Sequence, residues 1–270
     1  MNKKVQGHMA RKRFGQNFLH DTGVIHRIIQ AIHPTRDQII AEIGPGLGAL
    51  TEHLAASACQ LKLIELDRDL IITLQQRYAE QPQVQIYPAD ALNFDFRSLS
   101  QTPHSLRVVG NLPYNISTPL LFHLLEFTDV IQDMHFMLQK EVVERLAAEP
   151  GNKNYGRLSV MMQYFCEVEF LFEVEPSAFR PVPKVDSAIV RLRPRAERED
   201  IEPTVLATLV KQAFAHRRKT LRNNLKTLLS DEAMLSVDID PNARPETLSP
   251  QQFIRLTRLC QFAEATRDTP

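Results

Sequence analysis

The chain is short of several things that would otherwise narrow its function. Among 270 residues there are three cysteines, Cys59, Cys166 and Cys260. They are far apart, odd in number and form no CxxC pair, so neither a disulfide framework nor a zinc site is supported, and no metal is expected. No apolar run approaches the ~18 residues needed to span a bilayer, so no membrane partner is expected. Residues 1–13 are polar and basic and lack the apolar core of a secretory signal, which makes a cytoplasmic location the default. Neither sign of charge prevails: Lys plus Arg and Asp plus Glu number 32 each. Global charge therefore says nothing about nucleic acid.

The charge that is present is clustered. Residues 1–13 carry Lys3, Lys4, Arg11, Lys12 and Arg13 and no acid. Residues 216–226 carry Arg217, Arg218, Lys219, Arg222 and Lys226, again with no acid. Such clusters on a neutral chain suit a local phosphate-binding face, although a solvated helix surface is the commoner origin of any one charge run.

The apolar pattern is regular over the first 160 residues. Helical spacing marks 22–33, 49–58, 69–78 and 119–127; short apolar runs mark strands at 38–43, 61–66, 84–87, 107–110 and 134–138. Strand–helix alternation of this kind predicts an α/β fold, a doubly wound, mostly parallel sheet with its strand carboxyl ends along one ligand-binding edge. Two further strands, 165–174 and 187–192, read as an antiparallel pair at the sheet edge around a proline-rich stretch, 176–183. Residues 194–203 read as a linker. From Pro203 onward helical periodicity dominates, so the expected division is a catalytic domain at 1–200 and a small all-helical domain at 201–270.

The first strand runs into Glu42-Ile43-Gly44-Pro45-Gly46-Leu47-Gly48. Glycines there let the backbone approach a ligand closely, and the following helix offers free N–H groups. Residues 44–49 also fit a dinucleotide fingerprint, and Glu65, ending the second strand, could hold a ribose in either class of cofactor. Three features favour S-adenosylmethionine over NAD: Glu42 before the glycines, where a carboxylate suits a cationic methionyl group; Asp90 at the end of the third strand, placed to accept from an adenine amine; and Asn111 at the end of the fourth. The loop also lacks Lys or Arg, which disfavours a phosphate ligand. Asp90 alone would read equally well as a helix cap.

Asn111-Leu112-Pro113-Tyr114 follows the fourth strand. This turn suits methylation of the exocyclic amine of a base, a poor nucleophile whose lone pair is delocalised into the ring. The Asn111 side-chain carbonyl and the Leu112 main-chain carbonyl can each accept one amine N–H, Pro113 stiffens the turn, and Tyr114 offers a flat face to an extruded base. An ordinary strand-to-helix turn uses the same residue types.

Taken in order, these motifs resemble the ribosomal RNA adenine dimethyltransferases, most closely the bacterial small-subunit type. The resemblance covers nearly the whole chain, from residues 13–19 through 42–48, 65–67, 110–117, 139–142, 155–159 and 177–190 to 214–225. It implies a Rossmann-like, class I S-adenosylmethionine-dependent methyltransferase fold that dimethylates two adjacent adenosines near the 3′ end of 16S rRNA within the immature small subunit. It implies that Asn17, Leu19, Gly44, Gly46, Glu65, Asp90 and Asn111 hold the cofactor. Asn111, Leu112, Tyr114 and Phe179 would hold and orient the target base, and Arg217, Arg218, Lys219 and Arg222 would grip RNA. Phe179 read without the resemblance is a core or loop anchor. Rival readings are an NAD-dependent oxidoreductase, a non-catalytic assembly factor and a large-subunit rRNA methyltransferase; a monomer is the default.

Overall fold

The structure, a computed structural model, describes residues 4–5, 8–9, 17–57, 59–216 and 218–267, with backbone alone for 4–5, 8–9 and 262–267. Two compact units emerge, Met1–Val143 with Glu169–Pro194, and Glu144–Val168 with Arg195–Pro270. The sequence suggested a single boundary at 200/201; residues 144–168 fall instead with the second unit.

In the first unit, β1 (Lys4–Val5) pairs with β2 (His8–Met9), and β3 (Phe18–Leu19) precedes α1 (Thr22–Ile32). Asp21 caps α1 by accepting from Val24 N–H at 2.9 Å, and the helix buries Ile25, Ile28 and Ile32, the stripe its periodicity predicts. The sheet then builds from β4 (Ile39–Ile43), β5 (Gln60–Glu65), β6 (Val84–Pro88), β7 (Leu106–Asn111), β8 (Ile131–Gln139), β9 (Cys166–Val174) and β11 (Ser187–Pro194), ordered β6-β5-β4-β7-β8-β11-β9. Crossover helices are α2 (Thr51–Ala56), α3 (Arg68–Arg77) and α4 (Ser117–Leu124). Strands β4 to β8 pair in parallel, and Leu61, Leu63 and Val108 are fully buried, as expected for a sheet covered on both faces. The chain fills the sheet outward from β4 in one direction and from β7 in the other. The order reverses between them, and there the carboxyl ends open a crevice.

Strands β11 and β9 lie side by side at the sheet edge, as the sequence suggests, and β11 joins the pair to the sheet by running antiparallel to β8, with Ser187 opposite Gln139. One stretch differs from the sequence reading. The stretch 140–165, unassigned from sequence, holds α5 (Lys140–Ala147) and α6 (Arg157–Phe165) around the break at Pro150 and Gly151. The proline-rich stretch contributes β10 (Phe179–Arg180), which pairs with β3.

The second unit is helical after the end of β11. Its α7 (Pro203–Ala213) packs against α6, α8 (Leu221–Leu225) and α10 (Pro250–Arg267); α9 (Asp231–Leu235) lies between the last two in sequence. Leu206, Leu209, Phe253 and Leu256 are fully buried, and Phe214 sits edge-on to the buried ring of Tyr155. No described helix is long and apolar enough to cross a membrane.

Candidate active site

The crevice between β4 and β7 is a cavity of about 230 Å³. It is lined by Asn17, Leu19, Gly44, Gly46, Glu65, Asp90, Asn111, Leu112 and Tyr114, so nine of the residues singled out from sequence share one wall. Glu42 lines it as well. Among the described residues, the lining includes three acids and no Lys, Arg or His.

The glycine loop is held against β5. Gly44 donates its N–H to the Ile64 carbonyl at 2.9 Å, and Gly46 donates to Glu65 Oε2 at 3.3 Å. Both adopt positive φ, +64° and +60°, a conformation that side chains other than glycine resist. Glu65 Oε1 accepts from the N–H groups of Leu66 and Asp67, both at 2.9 Å. Burial raises the Glu65 carboxyl, and these backbone donors pull it back down. Asp90 accepts from Leu92 N–H at 3.0 Å and so holds a short turn, while also lining the cavity. No helix begins there, so the alternative reading of Asp90 as a helix cap does not hold.

Glu42 is the most constrained acid. It is 2 % exposed and accepts from Thr51 Oγ1 at 2.7 Å. Burial pushes its carboxyl up to about 8, opposed by the Thr51 hydrogen bond and reinforced by the nearby Glu65.

The Asn111 turn is fixed from three sides. Asn111 Nδ2 donates to the Asn17 carbonyl at 3.0 Å, which leaves the amide oxygen as its accepting atom. Leu112 N–H donates to the Met137 carbonyl at 3.1 Å. Tyr114 bonds through its hydroxyl to Ser187 Oγ at 2.7 Å, and burial raises its phenol. Gly110 serves a different need: a Cβ there would lie 2.6 Å from the Ile43 carbonyl oxygen, so β4 and β7 could not approach closely enough to frame the crevice. Ser187 and Gly110 had no assigned role in the sequence; both lay inside recognised motifs, and only the packing explains them.

Phe179 departs from expectation. It is fully buried among the apolar residues of the first unit and does not line the cavity. The aromatic sandwich with Tyr114 is therefore not formed in this conformation. Instead β10 aligns Phe179 with Leu19 of β3, and the Ala178 carbonyl accepts from His20 N–H at 3.0 Å. Phe179 anchors the wall that Leu19 presents.

In the second unit, Arg218, Lys219 and Arg222 are exposed; Arg217 lies outside the described residues. Arg222 pairs with Asp231 at 2.7 Å. Buried Asn224 donates through Nδ2 to the carbonyls of Ala213, His216 and Lys219, at 2.6, 3.3 and 3.4 Å, and so shapes the basic turn. The charge pattern hid this residue, because a polar side chain in a basic run reads as surface.

Among the described residues no group of three His, Cys, Asp or Glu side chains could hold a metal ion. A switch-point cavity walled by a glycine loop, strand-end acids and an Asn-Leu-Pro-Tyr turn, on this sheet order, defines a class I methyltransferase. The family model for ribosomal RNA adenine dimethylase matches residues 7–261, and the chain belongs to that family. The ribosomal RNA small subunit methyltransferase A of Pseudomonas aeruginosa is 59% identical over 259 residues, covering 95% of this chain and 96% of that protein. The protein of the same name from Acinetobacter baylyi is 55% identical over 259 residues, 95% of this chain and 94% of that one. Among solved structures, a dimethyladenosine transferase from Plasmodium falciparum superimposes with a TM-score of 0.80 at 27% identity, covering 92% of this chain and 98% of that chain. The 23S rRNA methyltransferase ErmE gives 0.69 at 30% identity, covering 91% and 100%.

Proposed function

We propose that this enzyme uses S-adenosylmethionine to dimethylate N6 of two adjacent adenosines near the 3′ end of 16S rRNA, acting on the immature small subunit in the cytoplasm. The observation that carries the reading is the orientation of Asn111: its amide N–H is spent on the Asn17 carbonyl, so its oxygen faces the role of accepting from an amine. The cavity's chemistry fits the cofactor, since its described lining carries acids and no basic side chain. Bound there, S-adenosylmethionine supplies an activated methyl on a sulfonium. Glu65, already oriented by three backbone donors, holds the ribose. Asp90 takes the adenine amine, Gly44 and Gly46 give the backbone clearance, and Asn17 and Leu19 close the methionyl side.

The target adenine leaves its stack to reach the crevice. Asn111 Oδ1 and the Leu112 carbonyl accept its two amine hydrogens, which favours a pyramidal nitrogen. Tyr114, held by Ser187, carries the ring. Catalysis then comes from positioning rather than from a strong base. The first unit does this chemistry, while the helical residues from 201 onward bind RNA through Arg217, Arg218, Lys219 and Arg222. Replacing Arg217, Arg218 and Lys219 together should weaken RNA binding and flatten its salt dependence; an unchanged slope would leave the run a solvated face.

The direct test incubates the protein with labelled S-adenosylmethionine and small subunits lacking the modification, followed by nucleoside mass spectrometry. Dimethyladenosine from the 3′ region of 16S rRNA is expected. Binding without transfer would favour a non-catalytic assembly factor.

A further inference from the structure

We propose that Glu42 couples cofactor binding to proton release, being a neutral acid in the cofactor-free protein, a carboxylate against the cationic cofactor, and neutral again once the sulfonium has become a thioether. The inference rests on S-adenosylmethionine being the ligand of this cavity.

The geometry supplies the reason. Glu42 sits on β4 beneath the glycine loop and is almost wholly buried. Among the described residues its one hydrogen-bond partner is the Thr51 hydroxyl on α2, a neutral donor. The strands beside it offer apolar neighbours: its register partners are Leu63 on β5 and Val109 on β7. Among the described residues, the titratable groups that feel its charge include Glu65 on β5, the Cys59 thiol before β5 and Tyr78 at the end of α3; each of these is an acid and none supplies a positive charge. Arg77, next to Tyr78, donates to the Leu47 carbonyl at 3.1 Å. A buried carboxylate without a cation is unfavourable, so the group protonates, which the rise of its carboxyl to about 8 reflects.

A ligand carrying net positive charge supplies the missing counter-ion. Cofactor and product differ by that charge: the sulfonium loses it when its methyl leaves, while the amine gains the methyl and sheds a proton. Glu42 thus senses the difference between the two. Near neutral pH the cationic ligand binds at the cost of one proton, and the neutral thioether lets the proton return and loosens.

The sign of the pH dependence follows. A group that ionises on binding makes affinity rise with pH below its free-state value, by up to about tenfold per unit, and level off above it. Proton release can be counted near pH 7 by isothermal titration calorimetry in two buffers of different ionisation heat. S-adenosylmethionine should release close to one proton per site, and S-adenosylhomocysteine much less. Glu42→Gln, which keeps an acceptor for Thr51, should bind both with no Glu42-linked release and a pH-independent ratio of affinities. Thr51→Val, which removes the bond that lowers the Glu42 carboxyl, should move the wild-type release profile to higher pH.

Equal proton release by wild type and Glu42→Gln would overturn the proposal, as would equal release for the two ligands. If neither ligand binds the folded wild-type protein, the cofactor reading itself fails, a result distinct from binding without proton linkage.

Discussion

At the amino ends of β7 and β8, Arg107 forks onto Asp133 with two bonds of 2.8 Å and reaches Gln38 with a third at 2.9 Å. At the carboxyl ends of β4 and β5, on the opposite edge of the same sheet, Glu42 and Glu65 are as deeply buried but face one another's charge without a basic side chain among the described residues of the cavity lining. One edge closes its electrostatics within the protein. The other leaves them open. A fold can bury charge for its own coherence only when partner and hydrogen bonds come with it; buried acids left without a cation mark the edge that awaits a ligand.

The largest effect that could test this contrast lies at the closed edge. Arg107→Ala strands Asp133 in the sheet and should cost about 3–5 kcal/mol of stability, read by denaturant unfolding. Cofactor affinity of the protein that remains folded should stay within about twofold, because effects at distant, independent sites add. A parallel collapse of affinity would mean that the two edges are one network.

The open edge should show the reverse pattern. Asn111→Ala should lower methyl transfer by about 10²–10³-fold, far more than it lowers cofactor affinity, while the melting temperature barely moves, as for loss of a contact realised mainly in the transition state. Single-turnover rates and equilibrium binding on the same samples separate the two. Unaltered turnover would remove Asn111 from the reaction.

The pH dependence of the cofactor-free protein sharpens the contrast further. Glu42 is raised from 4.5 to about 8, so the folded state holds more protons than the unfolded state between those values and stability falls as pH rises through that window. His135, buried in β8, is lowered from 6.5 to about 4, mainly by burial, so stability falls as pH drops below 6.5. Glu42→Gln should recover about 2 kcal/mol between pH 6 and 8 and flatten the alkaline limb alone. His135→Leu should flatten only the acid limb. Thermal melts across pH that showed both limbs unchanged in both variants would refute this assignment.

The sequence made the open edge more legible than the closed one, for a physical reason. Strand ends that meet a ligand carry local punctuation, glycines at positive φ, a proline turn and acids, so Gly44, Gly46, Glu65, Asp90 and Asn111 stood out and converge on one cavity. The Arg107–Asp133 pair unites residues on adjacent strands whose register no local pattern encodes, and it passed unnoticed. For the same reason the edge pair of β9 and β11 was legible but not which of the two joins the sheet: β11 pairs with β8, 48 positions earlier at the Ser187–Gln139 match. Phe179 shows the limit of a motif: its identity was legible, its burial was not. A ring behind Leu19 and a ring facing a base have the same sequence, and only the β3–β10 pairing distinguishes them.

The smallest effect tests how the open edge is stiffened. Ser187 is fully buried and contacts the Tyr114 hydroxyl, so it acts on the base only through that ring. Removing either hydroxyl, by Ser187→Ala or Tyr114→Phe, deletes one hydrogen bond and should cost about 1 kcal/mol, close to fivefold in kcat/KM for RNA. The loss should fall on the RNA step and spare cofactor affinity, because neither hydroxyl belongs to the acid wall. If the bond is the whole effect, the double variant should be no worse than either single one. Additive losses would show that Ser187 supports the strand rather than the ring, and Tyr114 would then owe its orientation to the Pro113 turn alone.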